Sequence, residues 1–344
     1  MTQYMNISTG SKPLPDKIEL SKLSSTPVEQ LSAGELEDLA KCYYEGIGGL
    51  KKDIHKAFKI WQEGSLRGSS ECKYSVASCL RNNEGLSDED EVEEKQQQRK
   101  RRLEQAIQIF KELADSFEFK PVLRDTSKYD ASLEQKSIRE QVEPFRANIQ
   151  AQYALAVMYS NGEGTDVNHE AAFKYFKLAA QGKYSFYCLD STVSGPNACI
   201  LNVGGIPPAY FNLGNAYAQG KGTAVNNGLA LQYYEIAAEV GDINAKFTLG
   251  NWYTSGEYEK RLGKKINPFL RRQGYAFIRE AANAGNPVAA FNMGLFCCAE
   301  TNEFTTQNYE QAVEWYSKAI SGGFTHACVN LGSHIFYVFQ HQFD

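Results

Sequence analysis

The sequence predicts an all-α fold, a right-handed solenoid of antiparallel helix pairs, and three observations support this prediction. The first is a helical pattern that recurs five times and begins each time at an alanine: Ala151, Ala209, Ala245, Ala289 and Ala327. The second is a further helical pattern that follows the first after a turn and ends at a glycine. The third is the regular spacing of the copies, because a period of about 36 residues is typical of a tandem helical repeat.

The first helix of each unit is predicted from the spacing of its apolar residues. After Ala209, Phe211, Leu213 and Tyr217 follow at two, four and eight residues, and the other copies repeat these positions. Such spacing puts the apolar side chains on one side of a helix. A small residue stands five positions after each alanine, and we interpret this column as the place where neighbouring helices cross too closely for a larger side chain. The column consists of Ala156, Gly214, Gly250, Gly294 and Gly332.

The second helix of a unit follows a Gly-x-Gly turn in the best-defined copies. After Gly220 and Gly222, alanines and tyrosines recur at helical spacing until Gly241, which is typical of a helix closed by a C-terminal glycine. The same pattern upstream predicts a first unit that contains Leu39 and a second, more degenerate unit that begins at Cys72. No single pair can bury its apolar face alone, so we expect neighbouring pairs to share one core.

The chain therefore divides into a tail and an array. Residues 1–30 are rich in Ser, Thr and Pro and are predicted to form a disordered N-terminal tail. Residues 31–344 are predicted to form six helix pairs and a final unpaired helix. Four insertions are expected in the array, near residues 87–102, 121–146, 183–207 and 257–273.

Two of these insertions each have two interpretations. Residues 88–102 are first acidic and then basic, as in a nuclear import signal, but a solvated extension of the following helix is favoured because its opposite charges support one another at helical spacing. Residues 183–208 are partly apolar. We favour packing of this second insertion onto the array over a partner-binding loop, because apolar chain is rarely left exposed to water.

Residues 209–241 carry the clearest copy of the repeat. They follow the pattern Ala-x(3)-Leu-Gly-x(2)-Tyr-x(2)-Gly-x-Gly, then Ala-x(2)-Trp-Tyr-x(2)-Ala-Ala-x(2)-Gly, nearly throughout. This pattern resembles the Sel1-like repeat, a relative of the tetratricopeptide repeat, and the resemblance extends from about Glu35 to the end of the chain. It implies a binding scaffold, because members of that family commonly serve as adaptors or regulatory subunits: partners of membrane-bound ubiquitin ligases, activators of cell-wall synthases or receptor-tail binders. The repeat alone does not choose among these roles.

Composition argues against several classes of protein. The chain is 42% hydrophobic and 22% charged, with a formal net charge of -5. It lacks an apolar run of about 20 residues, so no transmembrane segment is predicted. The acidic balance argues against nucleic acid as a partner. The eight cysteines stand at scattered positions of the repeat, which favours buried free thiols over a disulfide ladder. The cytoplasm is therefore the expected location, with an organelle as the alternative.

Candidate chemical motifs do not fit the spacing that their chemistry needs. Residues 214–223 resemble a phosphate-binding loop, but Asn215 and Gly222 stand where that motif has a glycine and a hydroxyl. The last two units contain a group of cysteines and histidines without the spacing of a zinc site: Cys297, Cys298, Cys328, His326 and His334. The sequence also lacks a recognisable nucleophile and base. We therefore predict no catalytic, cofactor-binding or metal-binding residue, although a triad assembled from distant residues would escape this test.

A polar face on the first helices is the candidate site. Positions three, six and ten after the alanine lie within about 60° of one another on a helix. In the fourth to seventh units they carry Asn212, Asn215, Gln219, Thr248, Asn251, Ser255, Asn292 and Asn330. Asparagine offers a donor and an acceptor, so a ladder of such residues can pair with the amide groups of an extended peptide. The other interpretation is that these side chains are solvated or bond neighbouring helices.

These observations predict a protein-protein interaction adaptor or regulatory scaffold that binds a partner segment in its concave groove. The alternative is a structural subunit of a larger assembly, possibly organellar, whose insertions make the contacts. The end of the chain adds a question, because residues 335–339 are apolar where a repeat array usually ends in a polar cap. This end is expected either to fold back onto the sixth unit or to form an interface.

Overall fold

The computed structural model describes residues 5–6, 17–86, 92–115, 131–181, 184–188, 199–203, 206–265, 267–299 and 304–333. Over these residues the protein is built almost entirely of α-helices, together with three short strands. The chain forms two compact units, Met1–Ala209 and Tyr210–Asp344. The apolar C-terminal residues 335–339, whose role the sequence left open, lie outside the described residues.

The first unit contains three antiparallel helix pairs preceded by a short helix. Each pair matches one predicted repeat, and the leucine position of the pattern is buried in all three, as Leu39, Val76 and Leu155. The helices are α1 (Lys17–Ser25), α2 (Ala33–Glu45), α3 (Ile54–Leu66), α4 (Ser70–Asn82), α5 (Val92–Asp115), α6 (Ala131–Asn161) and α7 (His169–Gln181), with a 3-10 turn at Val28–Gln30.

The structure differs from the predicted disordered tail over residues 17–30. Helix α1 packs on α2, and Leu20 and Leu23 are 2% and 7% exposed. Leu23 joins the core cluster that includes Leu31 and Leu36. The physical reason is that the first pair of an array has an uncovered apolar face, which a preceding segment can shield. The composition of this segment, rich in Ser and Pro, predicted disorder, although two leucines stand at the spacing that the contact with α2 needs.

The insertion near residues 183–207 contributes two strands of a small sheet. Strand β2 (Tyr184–Cys188) pairs antiparallel with β3 (Cys199–Val203), and β1 (Met5–Asn6) pairs parallel with β3, giving the order β1-β3-β2. The sequence had suggested packing onto the helical array or a partner-binding loop. Strand pairing with a segment from the N-terminus was not predicted, because a two-residue strand has no recognisable pattern.

The charged run at residues 88–102 is helical from Val92 onward, as the first three turns of α5. The guanidinium of Arg99 donates a hydrogen bond of 3.1 Å to the carbonyl oxygen of Leu80, and Arg102 donates to the side-chain oxygen of Asn83. Lys100 and Arg101 are exposed. These contacts agree with a helical extension, two of whose basic side chains form hydrogen bonds with residues at the end of α4.

A buried polar pair closes the C-terminal end of α5. The amide nitrogen of Asn148 donates to the carbonyl oxygens of Leu113 and Ala114 at 2.7 and 2.9 Å, and Gln152 donates to the side-chain oxygen of Asn148 at 2.8 Å. The last carbonyls of a helix have no partner within it, so a side chain from another helix can satisfy them. Two polar residues that break the apolar pattern of α6 are thereby explained.

The second unit contains α8 (Pro207–Gln219), α9 (Asn227–Glu239), α10 (Ile243–Ser255), α11 (Glu257–Leu262), α12 (Pro268–Asn283), α13 (Pro287–Cys298), α14 (Tyr309–Ser321) and a final helix at residues 327–333. α8 begins just before the boundary between the units. The insertion near residues 257–273 consists of α11, a connecting segment and the first turns of α12. The first helices of successive repeats are thus α8, α10, α13 and residues 327–333.

Short polar residues at the N-caps define where these helices begin. The side chain of Asn226 accepts a hydrogen bond from the backbone of Leu229 at the start of α9, and Asp242 does the same for Ala245 at the start of α10. Such a cap satisfies one of the free backbone N–H groups of the first turn. Asn286 and Asn308 cap α13 and α14 in the same way. These asparagines are structural and are distinct from those on the polar face.

The column of small residues separates into three kinds of position. At Gly250, a Cβ would lie 2.6 Å from Ile278 and 2.9 Å from the carbonyl oxygen of Gly274, so the backbones of α10 and α12 approach closely there. At Gly214 and Gly294, it would instead lie 2.5 Å from a tyrosine ring of the second helix. At Gly332, nothing among the described residues lies within 4 Å. The predicted reason, a close helix crossing, therefore holds at Gly250, whereas no described contact accounts for Gly332.

Candidate functional site

All eight residues of the predicted polar face lie in the second unit, on its four first helices. We call them the asparagine face: Asn212, Asn215 and Gln219 on α8, Thr248, Asn251 and Ser255 on α10, Asn292 on α13 and Asn330 on the final helix. Gln219 and Ser255 are exposed, and the other six are half-buried. The face is therefore partly accessible to a partner and partly in contact with the scaffold.

Asn215 is held by a tyrosine from the second helix of its own repeat. The hydroxyl of Tyr234 donates a hydrogen bond of 2.8 Å to Oδ1 of Asn215. Tyr234 is 2% exposed, and burial raises its pKa to about 12. A buried hydroxyl needs a partner, so this hydrogen bond holds the Asn215 amide in one orientation.

Asn251 and Asn292 join two successive repeats. Nδ2 of Asn292 on α13 donates a hydrogen bond of 3.0 Å to Oδ1 of Asn251 on α10. The two residues occupy different positions in their helices, six and three residues after the alanine, and the stacking of the repeats brings them together. The contact shows that the face is continuous from α10 to α13.

Asn330 lies near the buried tyrosine of the preceding repeat. Its side chain acts to lower the pKa of Tyr316 on α14, and the Tyr316 hydroxyl lies 3.5 Å from the sulfur of Cys298. Tyr316 is fully buried, and this burial is the main cause of its raised pKa. Tyr234 and Tyr316 occupy the same position of the second helix, four residues after Ala230 and Ala312.

The remaining residues of the face take a smaller part in this arrangement. The hydroxyl of Ser255 donates to the backbone carbonyl of Asn251 at 2.6 Å, so it is satisfied within its own helix. Asn212, Thr248 and Gln219 lie at their predicted helical positions. The structure thus brings together Asn251 and Asn292, anchors Asn215 to Tyr234, and leaves Gln219 exposed.

The anchored amides keep hydrogen-bonding groups for a partner. Among the described residues, Nδ2 of Asn215, Nδ2 of Asn251 and Oδ1 of Asn292 have no hydrogen-bond partner. Each amide has two donor hydrogens and an oxygen acceptor. The arrangement can therefore present donors on α8 and α10 and an acceptor on α13. Each of these side chains is already held by a hydrogen bond through its other polar atom.

The supporting tyrosines were not identified as part of the site from the sequence. Tyr234 and Tyr316 belong to the repeat pattern and were assigned only to packing. The signal that could have identified them is the variation of this position of the second helix. Phe176 occupies it in the third unit and Ile278 in the fifth. A hydroxyl is present in the fourth and sixth units, where an asparagine lies within reach of it.

The described part of the chain contains no group of three or more His, Cys, Asp or Glu residues placed to hold a metal ion. Cys297, Cys298 and Cys328 are thiols rather than disulfides, as are Cys42, Cys72 and Cys79. His334 and the side chains of Cys188 and Cys199 lie outside the described part of the structure. The backbones of Cys188 and Cys199 are opposite each other in the β2-β3 register. No described helix is long and apolar enough to cross a membrane.

The fold and this face define a class of protein, a helical-repeat scaffold whose first helices present a polar surface. The Sel1 repeat model matches residues 36–69, 149–184, 207–242 and 287–324. These segments correspond to α2 with α3, the end of α6 with α7, α8 with α9, and α13 with α14. The chain therefore contains Sel1-like repeats at four places. Proteins with this repeat generally mediate protein-protein interactions.

Known proteins resemble the chain in sequence and in fold. It is 28% identical over 166 residues to "Chitin synthase regulator SKT5" of Malassezia restricta, covering 48% of this chain and 11% of that protein. It is 34% identical over 119 residues to the protein of the same name from Saccharomyces cerevisiae, covering 34% of this chain and 16% of that protein. The matches thus span less than a fifth of either relative.

A solved structure supports the fold class. A Sel1 repeat protein from Oxalobacter formigenes aligns with a TM-score of 0.59 and 17% identity, covering 88% of this chain and 92% of that one. This likeness concerns the fold alone. It confirms the predicted all-α helical-repeat solenoid, to which this protein adds three short strands.

Proposed function

We propose that this protein is a non-catalytic adaptor or regulatory scaffold that binds a segment of a partner protein on the asparagine face. The observation that carries the proposal is the Asn292 to Asn251 hydrogen bond between successive repeats. It aligns two amides on one surface and leaves Nδ2 of Asn251 and Oδ1 of Asn292 open to a partner. Asn215, anchored by Tyr234, extends the same surface to α8.

Anchoring affects the free energy of binding. A free asparagine side chain loses rotamer freedom when it is immobilised by a ligand, at a cost of roughly 0.5–1.5 kcal/mol. The amides of Asn215, Asn251 and Asn292 are already held by a neighbour, so a smaller part of this cost remains on binding. An extended peptide has one N–H and one C=O for nearly every residue, which matches donors and acceptors of this kind.

The sequence relatives favour a regulatory role as one form of this function. Both curated relatives are described as regulators of a chitin synthase. A scaffold without catalytic residues can regulate an enzyme by binding it, so regulation of a polysaccharide synthase is the second candidate. The alternative of a structural subunit in a larger assembly is distinguished by hydrodynamics, because a free adaptor purifies as a soluble monomer.

The cysteines support a cytoplasmic location for this activity. Six described cysteines are thiols rather than disulfides, four of them buried, and cysteines in this state are typical of a reducing compartment. Fluorescence microscopy of the tagged full-length chain tests this location. A signal confined to an organelle would contradict it and would favour the alternative assembly.

The test of the proposed function is a paired variant, Asn251→Ala with Asn292→Ala. Removing both members of a hydrogen-bonded pair leaves no unpaired group, so the free energy of unfolding should change little. The matched control is Gln232→Ala with Asn283→Ala, which removes two exposed amides from the second helices α9 and α12. Partners are identified by proximity labelling with the full-length chain, and their affinities are then measured with purified proteins.

We expect the face variant to weaken partner binding about tenfold or more, since two hydrogen bonds are lost at about 1 kcal/mol each. The control variant should bind as the unaltered protein does. Equal affinity of all three proteins for every identified partner would remove the asparagine face from the binding site.

A further inference from the structure

The first helices of the second unit are almost free of charge. The protein as a whole is 22% charged. Yet α8, α13 and the final helix at residues 327–333 contain no Asp, Glu, Lys or Arg, and α10 contains only Lys246. That one ammonium group is paired, with its Nζ 2.6 Å from an oxygen of Glu280 on α12.

Most other helices of the chain are charged, although the end of α6, residues 147–161, also lacks Asp, Glu, Lys and Arg. The second helices of the same unit carry several charged residues: Glu235, Glu239, Arg271, Arg272, Arg279, Glu280, Glu310, Glu314 and Lys318. In the first unit, the first helix α2 is strongly charged and contains Glu35, Glu37, Asp38, Lys41 and Glu45. Helix formation therefore does not require the uncharged composition of α8, α10 and α13. A property of their exposed face is a better explanation.

An uncharged face discriminates against charged ligands. A charged side chain brought onto a half-buried surface loses hydration, and this loss is compensated only if an opposite charge is present. The asparagine face offers amide and hydroxyl groups but no such charge. Amide groups instead suit the uncharged N–H and C=O groups of a peptide backbone, so rejection of charged segments gives selectivity without sequence-specific contacts.

The spacing of the helices sets the length of the segment. Packed helices lie about 8–10 Å apart, and an extended chain advances about 3.3 Å per residue, so successive first helices are about three residues apart along a bound chain. Four first helices therefore accommodate about ten residues. On α13, Leu295 occupies the helical position that Asn215 and Asn251 occupy in their helices. Its side chain is 43% exposed, so it can make an apolar contact with a segment that crosses α13.

We infer that the asparagine face selects an uncharged, extended segment of about ten residues that carries an apolar side chain where it crosses α13. The affinity of the face for this segment should depend little on salt. This inference rests on the proposed function and specifies its partner class. It differs from binding of an acidic or basic tail, which would need unpaired charges on the face.

The test uses a displayed library of random peptides about twelve residues long, a length that covers the four first helices. The library is selected on the full-length protein and counted by sequencing. Enriched peptides are synthesised, and their dissociation constants are measured by fluorescence anisotropy at about 50 and about 500 mM NaCl, which changes screening strongly. The Asn251→Ala/Asn292→Ala variant and the Gln232→Ala/Asn283→Ala control are measured in parallel.

Three results are expected. Enriched peptides should contain less than about half the Asp, Glu, Lys and Arg of the starting library, and their affinity should change less than about threefold between the two salt concentrations. The face variant should weaken binding about tenfold. Leu295→Ala should weaken only those peptides that carry a shared apolar position.

Two contrary results have different meanings. If the enriched peptides are charged, or lose affinity about tenfold in high salt, while the face variant still weakens them, the uncharged partner class is wrong and the binding site stands. If the peptides bind the face variant and the unaltered protein equally, or if none is enriched on the unaltered protein, the proposed function itself fails.

Discussion

The hydroxyl of Tyr234 on α9 reaches Oδ1 of Asn215 on α8 at 2.8 Å, because Gly214 leaves room for the tyrosine ring. A Cβ on Gly214 would lie 2.5 Å from that ring. Gly294 likewise leaves room for the ring of Tyr316 in the sixth unit, and Asn330 on the next helix lies near that tyrosine. The small-residue column is thus linked to the asparagine face, since the glycine admits the tyrosine that holds the asparagine.

The Tyr234 and Asn215 pair should show strong coupling in unfolding. Asn215→Ala leaves a buried hydroxyl without its acceptor and should lower the free energy of unfolding by about 1–3 kcal/mol. The double variant with Tyr234→Phe removes both groups and should be more stable than Asn215→Ala alone. Urea unfolding followed by circular dichroism measures all three proteins. Strictly additive losses would show that the hydrogen bond does not form.

Gly250 should tolerate no side chain, because α10 and α12 approach closely at this position. Gly250→Ala places a Cβ against Ile278 and the backbone of Gly274 and should lower the free energy of unfolding by about 1–3 kcal/mol, with Gly250→Leu costing more. The measurement is the urea midpoint and its slope.

The control for the Gly250 variants is Gly332→Ala, in the same column of the repeat. A Cβ there meets nothing among the described residues within 4 Å, and alanine has the higher helix propensity by about 1 kcal/mol. We expect unchanged or slightly raised stability. A loss at Gly332 as large as that at Gly250 would contradict the distinction between these positions.

The ion pair of Arg81 and Glu163 should make stability depend on pH. Nε of Arg81 on α4 lies 2.6 Å from a carboxylate oxygen of Glu163, which stands in the turn between α6 and α7. Hydrogen bonding to Arg81 is the main reason that the pKa of Glu163 lies below its ordinary value. A carboxyl whose pKa is lower in the folded state stabilises the fold above its unfolded pKa, and this contribution disappears as the pH falls through the folded pKa.

We therefore expect Glu163→Gln to be less stable than the unaltered protein at neutral pH, and the difference to shrink as the pH falls below about 5. Urea unfolding at a series of pH values from neutral to acidic measures the difference. Arg81→Met should show the same trend. A difference that grows on acidification would mean that the pair does not lower the pKa of Glu163.

The buried cysteines should resist alkylation in the native protein. Burial is the main cause that raises the pKa of Cys72 and of Cys79 to about 12, and the thiolate is the reactive form. Cys328 is exposed. With iodoacetamide in mildly alkaline buffer, mass spectrometry should find Cys328 modified first, and Cys72 and Cys79 modified only in denaturant. Rapid native modification of Cys72 would contradict its placement in the core.

The periodic features of the fold could be predicted from sequence because they depend on local spacing. Ala209, Leu213 and Gly214 recur at fixed intervals in other copies, and a helix with that pattern buries one side. The polar face followed from the same periodicity, since Asn215 and Asn251 stand at the same position of successive units. The cap positions Asn226 and Asp242 were equally local, although they were not singled out.

Contacts between segments distant in sequence could not be predicted in this way. Leu20 and Leu23 pack on the first pair because the end of an array is uncovered, and β1 pairs with an insertion nearly two hundred residues away. Nothing in the composition of residues 1–30 reports either contact. The extra length of α5 was predicted as a helical extension, whereas that of α6 was recognised only as an insertion near residues 121–146, because a mixed segment has no periodic apolar signal.

A tandem array of helix pairs with asparagines on the first helices could be deduced from the sequence, because both properties follow from which residues recur at which spacing. The contacts of those asparagines became known from the packed structure. Asn292 bonds Asn251 because successive repeats stack, and Asn215 bonds Tyr234 because the two helices of one repeat pack together. Such distances depend on the crossing of whole helices, which no single repeat encodes.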